Sequence, residues 1–99
     1  MILYIFSVYD SAVGAFLPPF FSRSKMEAIR SFSAACNEKE HQFSKYGRDY
    51  ALFELGEFED SVGSLESIQP TRVISAMECL EDKETVLPFK STNEAKLAM

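Results

Sequence analysis

One turn signature occurs twice in this chain. Asp10-Ser11-Ala12-Val13-Gly14 returns, one residue shorter, as Asp60-Ser61-Val62-Gly63. In each copy Asp opens the turn and Gly supplies a residue tolerant of positive φ, which is hairpin chemistry. The flanking runs agree. Residues 2–9 are rich in β-branched and aromatic side chains on both alternating faces: Ile2, Tyr4, Phe6, Val8 and Leu3, Ile5, Ser7, Tyr9. A strand apolar on both sides belongs in the middle of its sheet. Residues 15–17 begin the returning strand, and Pro18-Pro19 then removes two backbone donors, so the strand must stop, bulge or lie on an edge there. Residues 50–58 give the second strong strand, with Tyr50, Leu52, Glu54 and Gly56 on one face and Ala51, Phe53, Leu55 and Glu57 on the other. Residues 64–69 return from it and Pro70 closes them.

Between the two hairpins lies a helix. Ser24-Lys25-Met26-Glu27 is a capping box, with Ser24 accepting from the third helical N–H and Glu27 reaching back. Ala28, Ile29, Phe32, Ala35 and Cys36 follow at helical spacing and make one apolar stripe, predicting a helix over 25–37. Residues 41–49 are a connecting stretch with room for one helical turn, broken by Gly47. Residues 72–80 are apolar and read as a short last strand. Charged residues then lead to Val86-Leu87-Pro88-Phe89 and a second capping box, Ser91-Thr92-Asn93-Glu94. The expected fold is α+β: a small antiparallel sheet of two β-hairpins joined by one covering helix over residues 1–80, with residues 81–99 a C-terminal tail carrying a short helix.

Chemistry-bearing motifs are scarce. The sequence holds no P-loop, GxGxxG, GxSxG or HExxH pattern. His41 is the single histidine and sits among Glu38, Glu40 and Gln42, a setting that reads as a solvated loop. Glu57, Glu59 and Asp60 gather at the second turn without the spacing of a calcium loop, as a solvated hairpin end. Cys36 and Cys79 lack a CxxC context and read as reduced core thiols. No cofactor, metal or catalytic residue is expected, and the chain reads as a binding protein rather than an enzyme. Residues 1–9 lack a basic leader and a cleavage site and are too short to span a bilayer, so no membrane association and a cytoplasmic address are expected.

The net charge is −5, which opposes general affinity for phosphate backbones. The acidity is uneven: six basic and five acidic residues lie in 1–50, against four basic and ten acidic in 51–99. The best working surface is therefore in the first half. Phe20 and Phe21 point to opposite sides if extended, so one can stack a base while Arg23 and Lys25 hold phosphates and Arg30 lies near the same helical face. Lys45, Tyr46 and Arg48 form a second basic–aromatic group. Against this, Arg23, Glu27 and Arg30 at i, i+4 and i+7 also suit ordinary helix-surface ion pairs.

The run Val8-Tyr9-Asp10-Ser11-Ala12-Val13-Gly14-Ala15-Phe16-Leu17-Pro18-Pro19-Phe20-Phe21, followed by Arg23-Ser24-Lys25, Glu27-Ala28 and Arg30, resembles the small non-structural protein of gokushoviruses, in the microvirus family of single-stranded-DNA phages. Gln42-Phe43-Ser44-Lys45, Asp49-Tyr50, Leu52-Phe53 and Leu55-Gly56-Glu57-Phe58 extend the likeness over roughly residues 1–80. The resemblance implies a non-enzymatic protein of the bacterial host's cytoplasm that binds single-stranded DNA and assists genome replication or packaging. The alternative is an adaptor acting on host or phage replication or packaging proteins without touching DNA. Open sheet edges and exposed aromatics add the expectation of a homodimer, with a strand or the tail exchanged between subunits.

Overall fold

The computed structural model describes residues 1–80; the tail, its second capping box and the Val86–Phe89 segment lie outside the described residues. The elements in order are β1 (Ile2–Asp10), β2 (Ala15–Phe16), β3 (Phe20–Ser22), α1 (Lys25–Cys36), α2 (Gln42–Lys45), a 3-10 turn (Gly47–Asp49), β4 (Tyr50–Glu59), β5 (Ser64–Ser75) and a final helix α3 beginning at Ala76. All strand pairs are antiparallel, and the sheet order is β2-β1-β4-β5 with β3 beside β2 on the same edge of β1. The expected α+β architecture of two hairpins and a covering helix is the one found.

The strand apolar on both faces is central, as its pattern requires. β1 pairs along its whole length with β4, and along its other edge with β2 and then β3. Those two are one edge strand interrupted at Pro18-Pro19, where missing N–H groups cannot join a ladder. The break is anchored: Leu17 N–H donates to Val8 O at 2.8 Å, and the buried Ser7 hydroxyl donates to Leu17 O.

Both turns are four-residue loops ending in glycine at positive φ, +79° for Gly14 and +72° for Gly63. In each, the glycine N–H closes on the carbonyl four residues back, Asp10 or Glu59, at 2.8 Å. The structural equivalent of Asp10 is thus Glu59 rather than Asp60. Asp10 accepts from Ala12 N–H at 3.0 Å, and Glu59 accepts from Ser61 N–H at 3.2 Å and its hydroxyl at 2.7 Å.

The Ser24 hydroxyl caps α1 by accepting from Glu27 N–H at 3.1 Å. The Glu27 carboxylate does not reach back as the box predicts; it pairs with Arg23 at 3.1 Å. Ala28, Phe32 and Cys36 turn inward against Phe6, Val8, Tyr50 and Leu52 of the sheet. Phe43 brings α2 into this core, 5.4 Å from the Phe32 ring and 4.7 Å from Tyr50, while Ala76 and Cys79 close it from α3. Both cysteines are buried, and neither forms a disulfide. Burial, with Cys79 alongside, pushes the Cys36 thiol up to about 12, so it stays protonated.

Two expectations for the C-terminal half need correction. Pro70 does not close β5, which runs on to Ser75. Opposite Leu55 the ladder skips from Thr71 to Ser67, so Ile68, Gln69 and Pro70 arch out of it and the proline costs no ladder bond. Residues 72–80 are not a separate strand either: β5 ends at Ser75 and α3 follows. Ser75 is its cap, accepting from Glu78 N–H at 3.1 Å while Glu78 Oε1 accepts from Ser75 N–H at 2.9 Å. Arg72 holds the same carboxylate oxygen at 2.9 Å.

Ser75→Ala removes this cap and is expected to cost about 0.5–2 kcal/mol in urea unfolding. The Ser75 amide, then Arg72, hold the Glu78 carboxyl below its ordinary value of 4.5. Because the folded-state value is depressed, its contribution is complete above 4.5 and fades as pH falls through the lower folded value. An NMR pH titration of the α3 amides is expected to show that helix loosening below pH 4.5. Gly56 is constrained by a close approach: a Cβ there would lie 2.2 Å from Glu66 O across the bulge. Gly56→Ala is therefore expected to destabilise by about 1–3 kcal/mol, the usual range for overpacking, in the same unfolding assay.

Candidate nucleic-acid interface

Directly opposed residues in an antiparallel ladder share a face, so the register assigns every strand side chain to one side of the sheet. On the helix side lie Phe6, Val8, Tyr50 and Leu52, with Glu54 opposite Phe6, Glu57 opposite Tyr4, and Glu66 opposite Glu57. A shallow cavity of about 240 Å³ lined by Ile2, Glu57, Glu59, Val62, Ser64 and Glu66 gathers three carboxylates, those of Glu57, Glu59 and Glu66, on that side. α1 covers only the half of this face near Phe6 and Val8.

The other face has no helix over it. β1 contributes Leu3, Ile5, Ser7 and Tyr9; β2 contributes Phe16 and β3 Phe21; β4 contributes Ala51, Phe53 and Phe58; β5 contributes Leu65, Ser67, Arg72 and Ser75. Five of these are aromatic, and they meet edge to face except for the tilted Tyr9–Phe16 pair. Tyr9 lies 4.9 Å from Phe16 and 6.0 Å from Phe53, Phe16 lies 5.4 Å from Phe53, and Phe21 lies 5.5 Å from Phe58. Tyr9 and Ile5, which mark the two clusters on β1, are about 13 Å apart along the strand at its usual rise. Phe16 is 40% exposed, Phe21 51% and Leu65 64%, while Tyr9, Phe53 and Phe58 are half-buried and Ser7 between them is buried, so the face meets solvent mainly through its outer side chains. None of its ladder residues is a carboxylate.

Of the residues singled out from sequence, Phe20 and Phe21 split as expected. Phe20 sits opposite Phe6 and packs against its ring at 6.0 Å on the core side. Phe21 joins the open face. Arg23, at its rim, is ion-paired with Glu27. Lys25 and Arg30 are exposed on α1. Lys45 lies 3.6 Å from Glu40, and with Tyr46 and Arg48 it lines a separate cavity of about 330 Å³ that also takes in Met77 and Leu80. That cavity takes in none of Arg23, Lys25 and Arg30.

His41 is not a free loop residue. It is the N-cap of α2, its Nδ1 accepting from Phe43 N–H at 3.1 Å with the ring 4.4 Å from that of Phe43. Among the described residues, no cluster of His, Cys, Asp or Glu converges into a metal site. Among them, no helix is long and apolar enough to cross a membrane.

Sequence reasoning missed Tyr9, Phe16, Phe53, Phe58 and Arg72 as partners on one surface. Their signal, one ring each on β1 and β2 and two on β4 at positions of opposite parity, can be read only once the register is known.

No curated protein and no solved structure matches the chain. The family model described as Phage ORF5 protein matches residues 3–79, most of the chain. This is therefore a bacteriophage protein, a member of the Phage ORF5 family.

Proposed function

We propose that this phage protein binds single-stranded DNA on the open face of its sheet and assists replication or packaging of a single-stranded genome, without being an enzyme. One observation carries the reading: five aromatic rings share a face on which the ladders place no carboxylate. Every base has a π-face, so exposed rings on a sheet hold unpaired strands with little regard to sequence, each stacked base contributing roughly 1–3 kcal/mol. The resemblance to gokushovirus non-structural proteins agrees with this role. The acidic net charge is no obstacle, because the sheet's carboxylates lie on its other side.

Phosphates would meet Arg72, flanking Phe53, and Arg23, beyond Phe21. Both are already ion-paired, with Glu78 and Glu27. Two phosphate contacts give a log–log salt slope of only about −1.4 for a single strand. Stacking dominates, so salt dependence is expected to be shallow.

The test is fluorescence anisotropy of a labelled oligothymidine at two salt concentrations. Phe53→Ala and Phe58→Ala are each expected to weaken binding about 5- to 150-fold, the equivalent of one lost stacked base, with circular dichroism unchanged. Lys45→Ala/Arg48→Ala is expected to leave affinity within twofold. No binding at low salt, or binding indifferent to the ring variants, would overturn the proposal and direct attention to an apolar surface of a replication protein as the face's partner.

A further inference from the structure

The sheet's two edges are managed differently. One consists of β2, two residues long, and β3, three residues long, separated by Pro18-Pro19; short strands and prolines are standard protection against pairing with another chain. The other edge is β5, twelve residues long, and among the described residues nothing pairs with its outer side. Its second half is blunted by the arch at Pro70. Its first half is regular: Ser64, Leu65, Glu66 and Ser67 pair in unbroken register with Glu59, Phe58, Glu57 and Gly56. All four are exposed, so a row of backbone donors and acceptors faces water there.

We infer that this half-strand pairs with the same half-strand of a second copy, antiparallel about a dyad at Leu65. A twofold contact uses one patch twice, which fits a single free edge. Side chains select the register. A dyad at Glu66 sets carboxylate against carboxylate, and a dyad at Ser67 runs the contact into the arch of Ile68, Gln69 and Pro70. A dyad at Leu65 places the two leucines together and sets Ser64 beside the partner's Glu66. Leu65 is 64% exposed in the single chain, and this register shields it. The open aromatic faces of the two copies then become one surface. With so few ladder residues the dimer is a weak one, smaller than standard stable interfaces. The pairing does not depend on DNA and is measured without it.

Sedimentation equilibrium over a concentration series is expected to show the wild type approaching twice the monomer mass. Leu65→Lys is expected to stay monomeric with an unchanged circular dichroism spectrum. With oxidised glutathione, Leu65→Cys is expected to form an intermolecular disulfide, two thiols being oxidised as the glutathione disulfide is reduced to two thiols. Ser67→Cys is not, because the dyad separates its copies beyond the roughly 7 Å limit for bridging. A wild type that stays monomeric, a dimer that survives Leu65→Lys, or a Ser67→Cys cross-link as efficient as that of Leu65→Cys would each overturn the pairing.

Discussion

A single helix covers this sheet, and a helix can cover only one face. α1 has twelve residues, about 18 Å of helix, and its Ala28–Phe32–Cys36 stripe seals the half of one face that carries Phe6, Val8, Tyr50 and Leu52. The remaining features follow from that shortage of cover. α2 and α3 add Phe43, Ala76 and Cys79 to the same core rather than opening a second one. The far half of the helix side is left to solvent and carries the carboxylates. The whole opposite face is left without a layer, yet it is the face that holds Tyr9, Phe16, Phe21, Phe53 and Phe58.

Segregation of charge between the two faces lets an acidic chain keep one aromatic face free of ladder carboxylates. Ladder pairing fixes Glu54, Glu57, Glu59 and Glu66 on the helix side. Exposed aromatic area of this kind is unusual on a domain that works alone, where contiguous apolar patches are normally small. Under the proposed function, a partner with flat π-faces would match it in shape and chemistry, with the arginines at its rim supplying orientation more than affinity.

Much of the fold was legible in the residues. β1 declared itself central by being apolar on both faces, the repeated Asp…Val-Gly turns marked the hairpins, and Ser24 marked the start of α1. The site was less legible, because strict alternation fails in β4. The ladder slips at Leu55, between the Glu54 and Gly56 pairs. A straight alternation puts Glu57 with Phe53 and sends Phe58 to the face of Leu52; the slip exchanges them, moving Phe58 outward beside Phe21 and Glu57 to the acidic side. A single irregular residue thus decides whether this end of the open face carries Phe58 or Glu57, and composition carries no mark of it. The start of α3 was within reach. Ser75-Ala76-Met77-Glu78 repeats the Ser-x-Met-Glu pattern that caps α1, but the apolar run before it masked the boundary.

The most direct measurement of the central claim is an aromatic carbon–proton NMR titration of the protein with oligothymidine. Rings of Tyr9, Phe16, Phe21, Phe53 and Phe58 should shift together, saturating at one affinity, while those of Phe32 and Phe43 in the core stay in place. Shifts confined to Tyr46 and the residues around Lys45 and Arg48, or no shift in any ring, would contradict binding on the open face.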